Sequence, residues 1–98
     1  MLPTKRAPTT PGEVLREEFL APLELTQGEL AERMGVPVET VNRIVNDKRA
    51  VTAPNALRLA RVLGTTPEFW LSLQNRVDLW QAQAEHSDDL RKIRKVSG

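Results

Sequence analysis

Hydrophobic and polar residues alternate with helical spacing along most of this chain. The clearest pattern lies between residues 26 and 49, where Leu30, Ala31 and Met34 are three and four residues apart. This spacing places the three side chains on one face of a helix. Gly35 follows, and glycine can adopt the left-handed conformation that ends a helix at little energetic cost. The pattern predicts a short helix that is closed by a turn at Gly35.

Capping residues mark the start of this helix and of the next. Thr26 and Glu29 have the spacing of a capping box, in which each side chain accepts a hydrogen bond from the other residue's backbone N–H. The first helix should therefore begin at about Gln27, and Pro37 suits the start of a second helix. The predicted core residues of the second helix are Val41, Ile44 and Val45, and the predicted outward-facing residues are Val38, Glu39, Thr40, Asn42 and Arg43.

Two short helices that meet at a glycine form the sequence pattern of a helix-turn-helix, here at about residues 26–46. The small Ala31 allows the second helix to cross close over the first. The positions that fix this geometry are occupied by Ala31, Gly35, Val41 and Ile44. The segment resembles the phage-repressor-like (XRE) helix-turn-helix family. The alternative is a helical hairpin with no ligand, which needs the same apolar stripe and turn. We favour the DNA-binding interpretation.

Three further helices are predicted around this unit. One begins after Thr10, carries Leu15, Phe19 and Leu23 on its apolar face, and ends at about Leu20 because Pro22 stops it. Another runs from the cap Thr52 to Gly64, with an apolar face made of Ala56, Leu59, Ala60 and Leu63, and with Arg58 and Arg61 directed away from it. The last and longest helix starts at Pro67 and runs to about Ala84.

The predicted fold is all-α, a five-helix phage-repressor-like helix-turn-helix domain over residues 10–84 with an extended C-terminal helix. Residues 1–9, which include Lys5 and Arg6, are expected to be a flexible arm. Residues 85–98 form a tail in which we expect a short helix starting at Ser87, with Leu90 and Ile93 folding back.

Apolar residues of the longest helix continue further than one small core requires. Trp70, Val77 and Trp80 belong to a seam of period 3.5. Such a stripe usually faces its own domain. Because Phe69 and Leu71 are apolar and lie off the seam, we expect part of the helix to be buried against a second copy of the chain, with Trp70, Val77 and Trp80 at the dimer interface.

Composition excludes several classes of function. The sequence contains no cysteine or tyrosine and one histidine, His86, so thiol catalysis and common metal-hydrolase motifs lack their residues. We therefore expect no enzyme activity, metal or cofactor. No apolar run is long enough to span a membrane, which takes about 20 residues, and no signal peptide is evident, so we expect a cytoplasmic protein.

The net charge of +1 hides a segregation of charge along the sequence. Residues 13–32 contain six acidic residues and one basic residue, and residues 68–89 contain five and one. Residues 33–61 contain six basic residues and two acidic ones, and four more basic residues follow Leu90. Solvated helix faces would produce a similar pattern. The central basic block coincides with the second helix of the helix-turn-helix and the segment after it, where phosphates would need neutralising.

A narrower resemblance covers about residues 10–80. The segments PGEVLREEFLAPL, NDKRAVT, ALRLARVLGTT and PEFWLSLQNRVDL are similar to the HigA family of addiction-module antitoxins, also described as VapI-like. The resemblance implies a homodimer that binds a palindromic operator in its own promoter. It further implies a partner, a RelE-like HigB toxin that cleaves mRNA on the ribosome. An orphan XRE-type repressor without a toxin is the alternative.

The resemblance and the charge pattern together suggest residues that contact double-stranded DNA. The predicted base-reading residues are Val38, Glu39, Asn42 and Arg43, and the predicted phosphate-binding residues are Gln27, Thr40, Asn46, Lys48 and Arg49. Pro37 stands where related proteins often carry a Ser or Thr cap, and Val38 stands where a polar residue is common. Base reading is therefore expected to depend on few side chains.

Overall fold

The computed structural model describes residues 6–97 of the chain, which contain six helices and no strand. Helix α1 has three contiguous parts: the α-helical turn Pro11–Val14, the π-helical segment Leu15–Leu20 and the α-helical turn Ala21–Leu23. The other helices are α2, Gln27–Met34; α3, Val38–Val45; α4, Ala53–Leu63; α5, Pro67–Glu85; and α6, Ser87–Arg91. The predicted all-α fold is confirmed, whereas Lys5 lies outside the described residues.

Helix α1 was predicted to end at about Leu20, before Pro22, but it continues through the proline to Leu23. The backbone N–H of Ala21 donates to the carbonyl of Arg16, five residues earlier, which is the π-helical pattern. Pro22 has no N–H, and in a regular α-helix its ring would clash with the carbonyl four residues before it. The wider π-helical turns come directly before Pro22, so the helix continues through it.

The wider turns also change which residues of α1 are buried. Leu15 and Leu20, five residues apart, are 0% and 7% exposed. Leu23, which a regular four-residue spacing placed in the core, is 58% exposed. The prediction for Leu23 was wrong because it assumed a regular α-helix.

The core lies where α1, α2, α3, α4 and the start of α5 meet. The stripes predicted for α2 and α3 are confirmed as buried. The buried cluster comprises Val14, Leu15, Leu20, Leu30, Ala31, Met34, Val41, Ile44, Val45, Val51, Ala56, Leu59 and Trp70. Trp70 is fully buried, and its ring packs at 5.4 Å from that of Phe19 and 5.0 Å from that of Phe69.

Residues in the left-handed backbone conformation end α1 and α2. Gly35 ends α2 at φ +72°, as predicted, and the N–H of Val36 donates to the carbonyl of Ala31 at 3.0 Å. Glu24 ends α1 in the same conformation, with the N–H of Leu25 donating to the carbonyl of Leu20 at 2.9 Å. These hydrogen bonds satisfy carbonyls that the helices leave unpaired. The turn at Gly35 fixes the direction in which α3 starts.

The C-terminal residues depart from the predicted packing. The short helix expected at Ser87 is present as α6. However, Leu90 and Ile93 are 42% and 69% exposed and do not fold back onto the core. Within residues 6–97, no helix has the length and apolar character needed to cross a membrane.

The start of α1 lies against the carboxyl end of α3. A Cβ atom built on Gly12 would come within 2.3 Å of the carbonyl oxygen of Ile44 and 2.7 Å of that of Val45. Backbone atoms cannot move aside as a flexible side chain can. The absence of a side chain at Gly12 therefore allows the two helices to touch. This contact sets the position of the carboxyl end of α3.

We predict that Gly12→Ala separates α1 from α3 and lowers the free energy of unfolding by about 1–3 kcal/mol, the usual cost of overpacking. Chemical denaturation measures this loss. Gly28→Ala is the matched control, because a Cβ there meets only Thr26 Oγ1 at 3.9 Å. The control should leave stability unchanged or raise it by up to about 1 kcal/mol. Equal stability of the two variants would contradict the close contact.

Candidate nucleic-acid interface

Four exposed side chains of α3 lie on one face of that helix. Val38 is 49% exposed, and Glu39, Asn42 and Arg43 are also exposed. Asn42 and Arg43 follow Val38 and Glu39 by four residues, about one helical turn, so all four side chains lie on the same side of α3. The opposite side of α3 is buried in the core. The four predicted base-reading residues thus form one continuous surface, which we call the α3 face.

The start of α2 is joined to the α3 face by side chains. The Asn42 Nδ2 group donates to Gln27 Oε1 at 3.0 Å. Gln27 is half-buried and follows Thr26, the N-terminal cap of α2. This hydrogen bond places a predicted phosphate-binding residue beside a predicted base-reading residue, at a helix N-terminus where backbone N–H groups favour an anion.

The predicted capping box at the start of α2 is confirmed. The N–H of Glu29 donates to Thr26 Oγ1 at 3.0 Å, and the N–H of Thr26 donates to Glu29 Oε1 at 2.9 Å. The backbone hydrogen bond from Thr26 is the main reason that the pKa of Glu29 is lowered. These hydrogen bonds stabilise the ionised carboxylate. The capping box therefore stabilises the fold at pH values above the ordinary pKa of glutamate, and this stabilisation is lost as the pH falls through the lowered pKa.

The segment after α3 carries four exposed polar residues, Asn46, Asp47, Lys48 and Arg49. We call residues 46–51 the clamp loop. Asn46 Nδ2 donates to the carbonyl of Asn42 at 2.9 Å, and the N–H of Lys48 donates to the carbonyl of Arg43 at 2.8 Å. Asp47 takes the left-handed conformation, φ +58°, that this turn requires. The backbone therefore directs Lys48 and Arg49 away from the core at the end of α3.

Thr40 was wrongly predicted to point outward. It is 8% exposed, and its Oγ1 accepts a hydrogen bond from Arg49 Nη1 at 3.4 Å. The partner residue, Arg49, covers Thr40 from the clamp loop. The hydroxyl of Thr40 is therefore directed at Arg49.

Two arginines outside the helix-turn-helix bind backbone carbonyls within it. Arg16 Nη1 donates to the carbonyl of Val45 at 3.2 Å, and Arg58 Nη1 donates to that of Met34 at 2.6 Å. The first bond fixes the end of α3 and the second fixes the end of α2. Sequence reasoning missed both because the partners are 29 and 24 residues apart and neither arginine belongs to a local motif.

The residues predicted to form a dimer interface have different environments. Trp70 is fully buried in its own domain, and its Nε1 donates to Thr65 Oγ1 at 2.7 Å. It therefore cannot contribute to a subunit interface, and that assignment was wrong. Val77 and Trp80 are half-buried on α5. Leu79, which lies off the predicted seam, is 70% exposed.

Comparison with known proteins identifies relatives along nearly the whole chain. Residues 15–70 match the helix-turn-helix family. The chain is 44% identical over 96 residues to antitoxin HigA-1 of Vibrio cholerae, and the match covers 98% of this chain and 90% of that protein.

Two solved structures of antitoxins with DNA are also similar to this chain. The antitoxin GraA in complex with its operator is 39% identical and superposes with a TM-score of 0.88 over 100% of both chains. Pseudomonas aeruginosa antitoxin HigA with the higBA promoter is 35% identical, with a TM-score of 0.87 over 92% of this chain and 99% of that one. Proteins of this kind are regulators and antitoxins, and this chain is not an enzyme.

Proposed function

Because the chain belongs to the helix-turn-helix family that includes the HigA antitoxins, we propose that it is a DNA-binding antitoxin that represses its own operon. The observation that carries the proposal is the exposed α3 face on a helix whose other side is fixed in the core. Two relatives with the same fold form complexes with an operator or a promoter. The proposal places α3 in the major groove.

Within the α3 face, the four side chains have distinct chemistry for reading bases. Arg43 can bond the O6 and N7 of guanine together, and Glu39 can accept a hydrogen bond from the N4 of cytosine. Val38 can contact a thymine methyl group. Asn42 can read adenine, provided that its hydrogen bond to Gln27 rearranges or is shared. Arg43 is the strongest candidate because its planar guanidinium offers two donors to one base.

The residues around the α3 face are suited to binding phosphates. Gln27 lies at the start of α2, and Asn46, Lys48 and Arg49 lie on the clamp loop, which follows the carboxyl end of α3. Asn42 of the α3 face contacts both groups, through Gln27 Oε1 and through Asn46 Nδ2. Phosphate contacts set the register of the protein on the duplex without reading sequence. Thr40 would act through Arg49, which it orients.

We predict that Arg43→Ala reduces discrimination among operator variants by about 1–3 kcal/mol, because it removes a base contact. Lys48→Ala should instead weaken binding to all DNA sequences about equally and lower the salt dependence by about one phosphate contact. Fluorescence anisotropy over a range of salt concentrations, with operator and scrambled duplexes, measures both effects. Equal losses for both variants on every sequence would contradict the assignment.

A single copy of α3 offers little contact area, so the proposal includes a homodimer on a palindrome. Two copies of α3 would lie about 34 Å apart, one turn of the duplex. The apolar residues Val77 and Trp80 on the later part of α5 support that helix as the interface.

We predict that the chain sediments as a dimer at micromolar concentration and that Val77→Asp shifts it to monomer, because a charge would be buried between subunits. Asn75→Asp, an exposed position on the same helix, is the control and should remain dimeric. A monomeric wild-type protein would reject the dimer.

The proposed partner protein is a RelE-like HigB toxin that cleaves mRNA. This part of the proposal rests on the similarity to antitoxin HigA-1 over almost the whole chain. The acidic residues of the segment 13–32 offer a complement to a basic protein of this type.

We predict that the gene beside this one encodes a small basic protein that stops growth when expressed alone, and that co-expression of this chain restores growth. Copurification of the two proteins would support direct neutralisation. An Arg43→Ala variant should still restore growth, because neutralisation does not require base reading. Absence of such a gene, with operator binding intact, would favour the orphan repressor.

A further inference from the structure

Helix α5 holds the clamp loop through one side chain. The backbone N–H of Val51 donates to Gln74 Oε1 at 2.9 Å. Val51 is 4% exposed, so this N–H has little access to water and depends on a protein acceptor. It lies between α3 and α4, outside the regular hydrogen bonding of either helix. Gln74 therefore supplies the acceptor that allows this end of the loop to be buried.

The orientation of the Gln74 amide is fixed by a second hydrogen bond. Its Nε2 donates to Asp78 Oδ1 at 2.9 Å, one helical turn further along α5. An amide rotated by half a turn would present its NH₂ group to the N–H of Val51 and its oxygen to the carboxylate of Asp78. Both contacts would then be repulsive. Asp78 thus selects the orientation in which Gln74 accepts from the clamp loop.

We propose that Gln74 is a positioning residue for DNA binding, which sets the conformation of the clamp loop and hence the directions of Lys48 and Arg49. The inference rests on the proposed function. The hydrogen bonds that hold the loop include those from the N–H of Lys48 to α3, from the guanidinium of Arg49 to Thr40, and from the N–H of Val51 to Gln74. Of these three, only the last comes from outside the segment 40–51. It connects the phosphate-binding residues with α5, whose Val77 is assigned to the dimer interface.

The test compares three variants. Gln74→Ala removes both hydrogen bonds. The double variant Gln74→Glu with Asp78→Asn exchanges the carboxylate and the amide between the two positions. The introduced carboxylate can then accept from both the N–H of Val51 and the introduced amide, so the contact to the loop is kept. Gln81→Ala is the matched control, since Gln81 is an exposed residue of α5 that borders the same cleft beside the clamp loop.

Amide hydrogen exchange of Val51 in the free protein is the first measurement, and it does not require DNA. Exchange should be slow in the wild type, the double variant and the control, and about fivefold or more faster in Gln74→Ala, the factor expected for one lost hydrogen bond. Exchange that is unchanged in Gln74→Ala would overturn the proposal, whether or not the chain binds DNA.

Affinity for operator and scrambled duplexes is the second measurement. Gln74→Ala should lose about fivefold on both duplexes, with a smaller salt dependence and the preference for operator retained, as for a loss of phosphate contacts. The double variant should bind within about twofold of wild type. Unchanged affinity of Gln74→Ala, or a double variant as weak as Gln74→Ala, would overturn the positioning role. A wild-type protein that binds no DNA would instead refute the proposed function.

Discussion

The contact between the start of α1 and the carboxyl end of α3 decides where the helix-turn-helix presents its exposed face. Gly12 lies directly against the carbonyls of Ile44 and Val45, and Arg16 donates to the same end of α3. At the other end, the left-handed Gly35 turns the chain from α2 into α3. A helix of eight residues would be only marginally stable alone. Fixed at both ends and buried on one side, it becomes a rigid support for four outward-facing side chains.

Side chains suited to reading bases and side chains suited to binding phosphates lie on and around α3. The α3 face carries the side chains able to read bases, and the start of α2 and the clamp loop, next to it, carry those able to hold phosphates. Several of these groups restrain one another, as Asn42 does with Gln27 and Arg49 does with Thr40. Such restraints reduce the conformational entropy that DNA binding would cost. Helices α4 and α5 add restraints from outside, through Arg58 on the end of α2 and Gln74 on the clamp loop.

Local patterns in the sequence were sufficient to predict the helices and most of the core. Thr26 with Glu29, and the glycine at position 35, are signals contained within a few residues, and the structure confirms them. Leu23 was misplaced because a π-helical segment before Pro22 changes the residue spacing, and hydrophobic periodicity cannot reveal that in advance. Leu90 and Ile93 have helical spacing but remain exposed.

The candidate site was predictable in position but not in its internal contacts. The α3 face follows from the outward-facing positions of a short helix, which the sequence shows directly. Thr40 was misjudged because a residue from the next loop covers it, and Trp70 because its apolar neighbours Phe19 and Phe69 enclose it within its own domain. The roles of Gly12, Arg16 and Gln74 depend on partners that are distant in sequence. Only tertiary structure brings these residues together.

Hydroxyl-radical footprinting on the DNA upstream of the gene tests the central claim most directly, namely that α3 is held rigidly at an angle that fits the major groove. The account predicts two protected half-sites at low ionic strength, with centres about 10–10.5 base pairs apart. Loss of protection is expected when α1 is displaced from α3. Uniform protection with no periodicity, or no protection of this DNA at all, would contradict the account.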